Sequence, residues 1–162
     1  MNGLENERPV IDSFAEIVRQ YCAWAEGPPL EPNEDILSAQ VYLARLHLGV
    51  IGLPNLEPDD EDVSDKVTAE QQKSVCWRFS SLPIQGYWDV FDPLITEGGE
   101  AVFNSLSDDL ADIYRDIKEG LVLYDAGKLK DAVWEWQFNF KIHWGQHLTG
   151  AQRAINSYLR DH

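Results

Sequence analysis

Apolar residues recur along most of this chain at three- and four-residue spacing, the period of helices that bury one face. From Val10 onward, Phe14, Ile17, Val18, Tyr21 and Trp24 (or Ala25) predict a first helix to about Glu26, with Pro9 before it and Gly27-Pro28-Pro29 ending it. Leu37, Val41, Ala44, Leu48 and Ile51 predict the core-facing stripe of a second helix. Asn33 would cap it, Glu34 and Asp35 would suit its first turn, and Gly52 and Pro54 would close it. Thr68 and Gln71 have capping-box spacing and start a third helix through Val75 and Phe79, ended by Pro83. Ser105 or Ser107 caps a fourth, with Asp108 and Asp109 in its first turn and a stripe of Leu106, Leu110, Ile113, Ile117, Leu121 and Tyr124. Gly127 is its stop. Between the third and fourth helices, Tyr87 to Pro93 reads as a short helical or irregular turn, and Gly98-Gly99 as a loop.

The last segment supports two periods. Trp134, Trp136, Phe138, Phe140, Ile142 and Trp144 alternate with polar residues, as in a half-buried strand. No second alternating run of that length is present to pair with it, and a lone strand leaves its backbone groups unsatisfied. Val133, Trp136, Phe140, Trp144, His147, Ala151, Ala154 and Tyr158 continue the helical spacing. A helix apolar on two faces suits the middle of a bundle, so the segment is read as the fifth helix. The expected fold is all-α: a single-domain bundle of about five helices spanning residues 1–162, with an acidic loop after the second helix.

A chain of 162 residues can bury a core without disulfides or a structural metal. Cys22 and Cys76 are isolated within apolar patterns and read as two buried thiols in a reducing compartment. The N-terminus lacks a secretory pattern, and Val41 to Leu53, interrupted by Arg45 and His47, is too short to span a bilayer. A soluble, cytoplasmic protein is expected. With 13 basic and 28 acidic residues, the formal charge is −15. That charge disfavours nucleic acid and anionic membrane as partners and favours a basic protein or peptide, although it also serves plain solubility. The loop from Asn55 to Asp65 is dense in carboxylates, but it lacks the central glycine and terminal glutamate of an EF-hand and reads as solvated.

The same residues resemble a bacterial family known as domain of unknown function 5063. The resemblance is carried by Phe14-Ala15-Glu16 with Tyr21-Cys22, and by Leu43-Ala44-Arg45-Leu46 closing at Gly52-Leu53-Pro54. It continues in Tyr87-Trp88-Asp89-Val90-Phe91-Asp92-Pro93, in Ser107 to Asp116, and in Ala132 to Phe138 running on to His143-Trp144-Gly145-Gln146-His147. It implies an α-helical fold and a bacterial source, and no activity.

His143 and His147, four residues apart, share one helix face, a spacing that lets two imidazoles hold one metal ion. Asp109, Asp112 and Asp116 share one side of the preceding helix, and a short connection would set the two banks against each other. Asp109 and Asp112 join the histidines as candidate ligands of a divalent metal, with Glu135 as a candidate base. The plainer reading is a pair of core-edge histidines bonded to nearby carboxylates such as Asp109 or Asp116, since the His-Glu-x-x-His pattern is missing. A pyrophosphatase-type magnesium site lacks its second acidic bank, and no nucleophile elbow or phosphate-cradling glycine loop is present. Tyr87, Trp88 and Phe91 are candidate interface anchors or plugs at the bundle end. Together these features rank a non-catalytic binding or accessory module with an acidic surface first, and a metal-dependent enzyme or metalloprotein second. An inhibitor of a basic toxin comes third. They fix no reaction.

Overall fold

A computed structural model of the protein describes residues 3–59 and 66–162. Its elements are helices α1 (Gly3–Glu26), α2 (Pro32–Ile51) and α3 (Ala69–Arg78), strands β1 (Gly86–Val90) and β2 (Ala101–Ser105), and helix α4 (Leu106–Asp125). Helix α5 (Leu129–Asn139), a π-helical turn (Phe140–Trp144) and α6 (Gly145–Asp161) then run on without a break. Among the described residues, five helical rods therefore make the body, and the tryptophan-rich tail is helical as expected. Helix α4 is the central rod, packed against α1, α3, α5 and α6.

The core is aromatic and tightly interlocked. Phe14 of α1 meets the edge of Trp136 at 5.0 Å between ring centres. Trp136 donates its indole N–H to the Ile117 carbonyl at 2.9 Å, and Tyr21 donates to the Leu110 carbonyl at 2.8 Å. Gly120 makes the α4–α5 approach possible, since a Cβ there would overlap the Trp136 indole. At the other end, Asp35 of α2 and Arg78 of α3 form a buried two-point ion pair at 2.5 and 2.9 Å. Trp24 and the Leu30 N–H also donate to that carboxylate.

Several local expectations change. Helix α1 begins six residues before Pro9, which lies inside it; Leu4 packs on the core and holds that extra turn. Helix α2 is entered through Glu31 with Pro32 at its first turn, not capped by Asn33, because proline is preset for that position. Its buried stripe is Ile36, Ala39, Leu43, Leu46 and Val50, whereas Leu37, Val41, Ala44, Leu48 and Ile51 face solvent. Both stripes have helical spacing, and α2 is apolar on two sides. The Thr68–Gln71 capping box, the Ser105 cap and Gly127 as the positive-φ stop of α4 stand as read.

Tyr87 to Val90 lie in a strand, not a helical or irregular turn. β1 pairs antiparallel with β2 in the register Gly86↔Ser105, Trp88↔Phe103, Val90↔Ala101. A Cβ at Gly86 would crowd the Asn104 carbonyl oxygen at 2.9 Å and displace the tip of the exposed Phe103 ring. The thiols also differ from expectation: Cys22 is buried, while Cys76 is only partly covered. Asp60, Glu61, Asp62 and Asp65 of the acidic loop lie outside the described residues. Among the described residues, no helix is long and apolar enough to cross a membrane.

Candidate metal centre

α4 and the π-turn–α6 rod pass in opposite directions, so the aspartates of one read against the histidines of the other. Asp116 meets His143 and Asp109 meets His147. His143 lies within the π turn, which takes one more residue than an α turn and resets the phase of the helix beyond it. Gly145 lets the turn close, because a Cβ there would overlap the Phe140 carbonyl oxygen.

His143 Nδ1 lies 2.6 Å from Asp116 Oδ2, and His147 Nδ1 lies 2.7 Å from Asp109 Oδ1. Contacts this short are charge-assisted, with the imidazole N–H donating to an ionised carboxylate. Both Nδ1 atoms are thereby committed. The two Nε2 atoms face each other at 3.2 Å, and Asp112 Oδ2 stands 3.3 Å from His147 Nε2. The ligand atoms of Asp112, His143 and His147 all lie within 4.8 Å of one another. Two neutral rings with protonated Nδ1 atoms would aim lone pairs at each other across that gap, so the arrangement calls for a shared cation, a proton or a metal ion.

The surroundings hold the carboxylates in place. Tyr87 donates to Asp109 Oδ2 at 2.5 Å, and Gln72 donates to Asp112 Oδ1 at 2.5 Å. Arg115 donates through Nε to Asp116 Oδ1 at 3.1 Å and stands 3.8 Å from Asp112. Its Nη2 also comes 3.2 Å from His143 Nδ1, but that nitrogen's proton is already directed at Asp116. Asp109 and Asp116 are buried, while both histidines and Asp112 are partly open to solvent. The Asp109 hydrogen bond raises the His147 pKa above its ordinary 6.5, against the effect of burial, and the charges of Asp109, Asp112 and Asp116 add to the rise. Burial pushes the Asp109 pKa upward, and the hydrogen bonds that His147 and Tyr87 donate to its two oxygens oppose that rise.

The sequence-derived site is thus brought together with its roles redistributed. Asp112, His143 and His147 converge, while Asp109 stands behind His147 on the Nδ1 side. Glu135 is buried on α5, accepts from Asn139 at 2.7 Å and is not among the converging atoms. Its pKa is raised by burial, opposed by the Asn139 bond and reinforced by Asp116. Tyr87 is half-buried against Asp109 and Gly150, whereas Trp88 and Phe91 are exposed on the hairpin. Sequence reasoning placed Asp116 in the carboxylate bank facing the histidines and offered it as a hydrogen-bond partner in the plainer reading, without assigning it to His143. It left out Gln72 as the Asp112 partner and Tyr87 as a member of the cluster. The signal for the Asp116 pairing was available, because antiparallel helices match the outer aspartates to the two histidines in reverse order. Gln72 and Tyr87 come from other elements and carry no local signal.

A family model described as Domain of unknown function (DUF5063) matches residues 5–161, nearly the whole chain. The protein belongs to that family. Among solved structures, this DUF5063 chain is similar to protein BF1032 from Bacteroides fragilis, with a TM-score of 0.76 and 24% identity over 92% of this chain and 91% of that one. At that identity the likeness establishes the fold. No curated protein matches the DUF5063 chain.

Proposed function

We propose that this protein binds a divalent transition-metal ion through His143 Nε2, His147 Nε2 and Asp112 Oδ2, with Asp116 and Asp109 orienting the two imidazoles. One observation carries the reading: both Nδ1 atoms are anchored to carboxylates while both Nε2 atoms converge at 3.2 Å. Metal-bound histidines characteristically direct their second nitrogen to a carboxylate or carbonyl. Two nitrogens bound at zinc distances on a tetrahedral ion stand about 3.3 Å apart, so little rearrangement is needed. Two imidazoles and one carboxylate favour zinc, iron or manganese over the all-oxygen ions calcium and magnesium. Three protein ligands leave a coordination position open, and both histidines and Asp112 are partly open to solvent. A water held there would be acidified and available for hydrolytic chemistry.

Titration of tag-free, metal-stripped protein with zinc, followed by calorimetry, tests this. One equivalent is expected for the wild type, and none at that affinity for His147→Ala or Asp112→Ala, with helical circular dichroism retained. Equal binding by all three proteins defeats the assignment. Unchanged zinc-free spectra with no binding by any of them leave the cluster as a proton-bridged histidine pair.

A second reading, docking of a basic peptide, has its own support. Trp88 and Phe91 are exposed beside Asp89 and Asp92, next to a groove of about 900 Å³ between the hairpin and α6. Aromatic anchors with acidic neighbours suit a cationic, partly apolar partner. A salt-sensitive partner captured by the wild type and lost with Trp88→Ala/Phe91→Ala would support it, and equal capture by both would refute it.

A further inference from the structure

Helix α2 buries one apolar stripe and exposes another. Leu37, Val41, Ala44, Leu48 and Ile51 alternate at four- and three-residue steps, the spacing of the inner seam of a two-helix coiled coil. All five are exposed, Leu48 at 77% and Ile51 at 67%. Isolated exposed apolar residues are ordinary, but a continuous seam along a helix is a contact surface.

The charge distribution selects the occupant. The chain carries −15 overall, so two copies repel unless they meet where carboxylates are missing. From Ile36 to Leu56 there is none. Between Leu37 and Ile51 the exposed Arg45 directs its guanidinium toward Gln20 of α1 at 3.4 Å, away from the seam. A cationic partner would find carboxylates only at the N-terminal end of this face, at Glu31 and Glu34, and none along the seam from Leu37 to Ile51. A second copy finds a surface complementary to itself.

We infer that two copies of this chain associate through α2, antiparallel, about a two-fold axis at Ala44. An interface built on such an axis must match itself in reverse. Ala44 lies midway between Leu37 and Ile51, so reversal brings Leu37 to the partner's Ile51 and Val41 to within one residue of the partner's Leu48. The small alanine side chain on the axis permits close approach of the two backbones. A parallel pairing would instead set Glu31 and Glu34 of each copy beside their equivalents. The seam shares no residue with the histidine cluster, and the inference stands apart from the metal reading.

Sedimentation equilibrium of the full chain over a concentration series tests it. The wild type reaches twice the 18.5 kDa of one chain, and Leu48→Glu stays at one chain with unchanged circular dichroism. Glutamate is a good helix former at an exposed position, so the fold is not at risk. In a Cys76→Ser background, Ala44→Cys cross-links under mild oxidation. Leu37→Cys does not, because its two copies stand about 21 Å apart, beyond disulfide reach. A wild type at one-chain mass throughout, a dimer that survives Leu48→Glu, a failure of Ala44→Cys to link, or efficient linking of Leu37→Cys each overturns the proposed pairing.

Discussion

Replacing Asp109 or Asp116 by asparagine separates the charge behind each imidazole from the shape that holds it. In Asp109→Asn the new amide can turn its oxygen to the His147 N–H and its nitrogen to the Tyr87 oxygen, so both hydrogen bonds survive with only the negative charge lost. In Asp116→Asn the amide oxygen still accepts from His143, at the loss of the oxygen that faces Arg115. Neither carboxylate is a ligand in the proposed site. Each bond is nevertheless a short one, 2.6 to 2.7 Å, to a buried anion that makes the opposite ring nitrogen more basic. Loss of such a supporting carboxylate typically weakens metal affinity 10- to 100-fold, about 1.4–2.7 kcal/mol. The metal-free Asp109→Asn protein should not suffer in step, since a costly buried charge is removed along with the hydrogen bond's charge assistance. Competition calorimetry with zinc, paired with thermal melts of the stripped proteins, reads both quantities. The affinity deficit of Asp109→Asn should be largest at neutral and higher pH. It should narrow as pH falls through the raised pKa of the wild-type His147, where protons compete hardest with metal for the unaltered site. Zinc affinities within a factor of about two of wild type for both variants across that range, where 10-fold or more is expected, would refute the supporting role of these carboxylates.

Three further outcomes test the scaffold around the site. Arg78→Met strands the buried Asp35 carboxylate and should cost about 3–5 kcal/mol, lowering Tm by roughly 6–20 °C for a chain of this length. Burial alone would raise the Asp35 pKa, but the donors from Arg78, Trp24 and Leu30 outweigh it and hold it below 3.8. Its contribution is therefore present above the unfolded pKa and disappears as pH drops through the lower folded value, and the Tm gap between wild type and variant should close in strong acid. Gly120→Ala forces a methyl group into the fully buried Trp136 indole and should cost about 1–3 kcal/mol. The penalty should shrink in a Trp136→Phe background, as chemical denaturation of the four-member cycle would show. Glu135→Gln keeps the Asn139 hydrogen bond but removes a carboxylate whose ionisation burial opposes. Its folded pKa lies above 4.5, so wild-type stability falls as pH rises from that value through the folded one. The variant should melt higher than wild type at pH about 7, and the gap should close in acid below both the unfolded and the raised folded value.

How far the sequence exposes this architecture differs from element to element. The tryptophan-rich tail carried two periods at once, and the decisive argument was the lack of a pairing partner, which backbone hydrogen bonding makes obligatory. Helix α2 had two apolar stripes one residue apart in phase, and spacing alone cannot say which one the core takes. The choice is made by what α1 and α6 present to it, such as Phe14 lying where a side chain at Gly49 would go. The hairpin was missed because each strand is five residues long and Gly98-Gly99 lies in a long connection between Val90 and Ala101, not as a two-residue turn joining two alternating runs. At the site, the histidine pair and the aspartate bank were legible because helical spacing and a short α4–α5 connection leave one relative placement. The division of labour between Asp109 and Asp112 was not, since both share the helix face and only three-dimensional register sends one to Nδ1 and the other toward Nε2. The π turn under His143 is a local phase change with no compositional mark.

Anomalous diffraction at the zinc edge, from crystals grown with zinc, addresses the central claim most directly. A single strong peak should stand about 2.0–2.2 Å from both Nε2 atoms and from Asp112, with Asp109 and Asp116 still on the Nδ1 atoms. An empty gap between the two imidazoles at full zinc saturation, or a peak held only by surface carboxylates elsewhere, would contradict it.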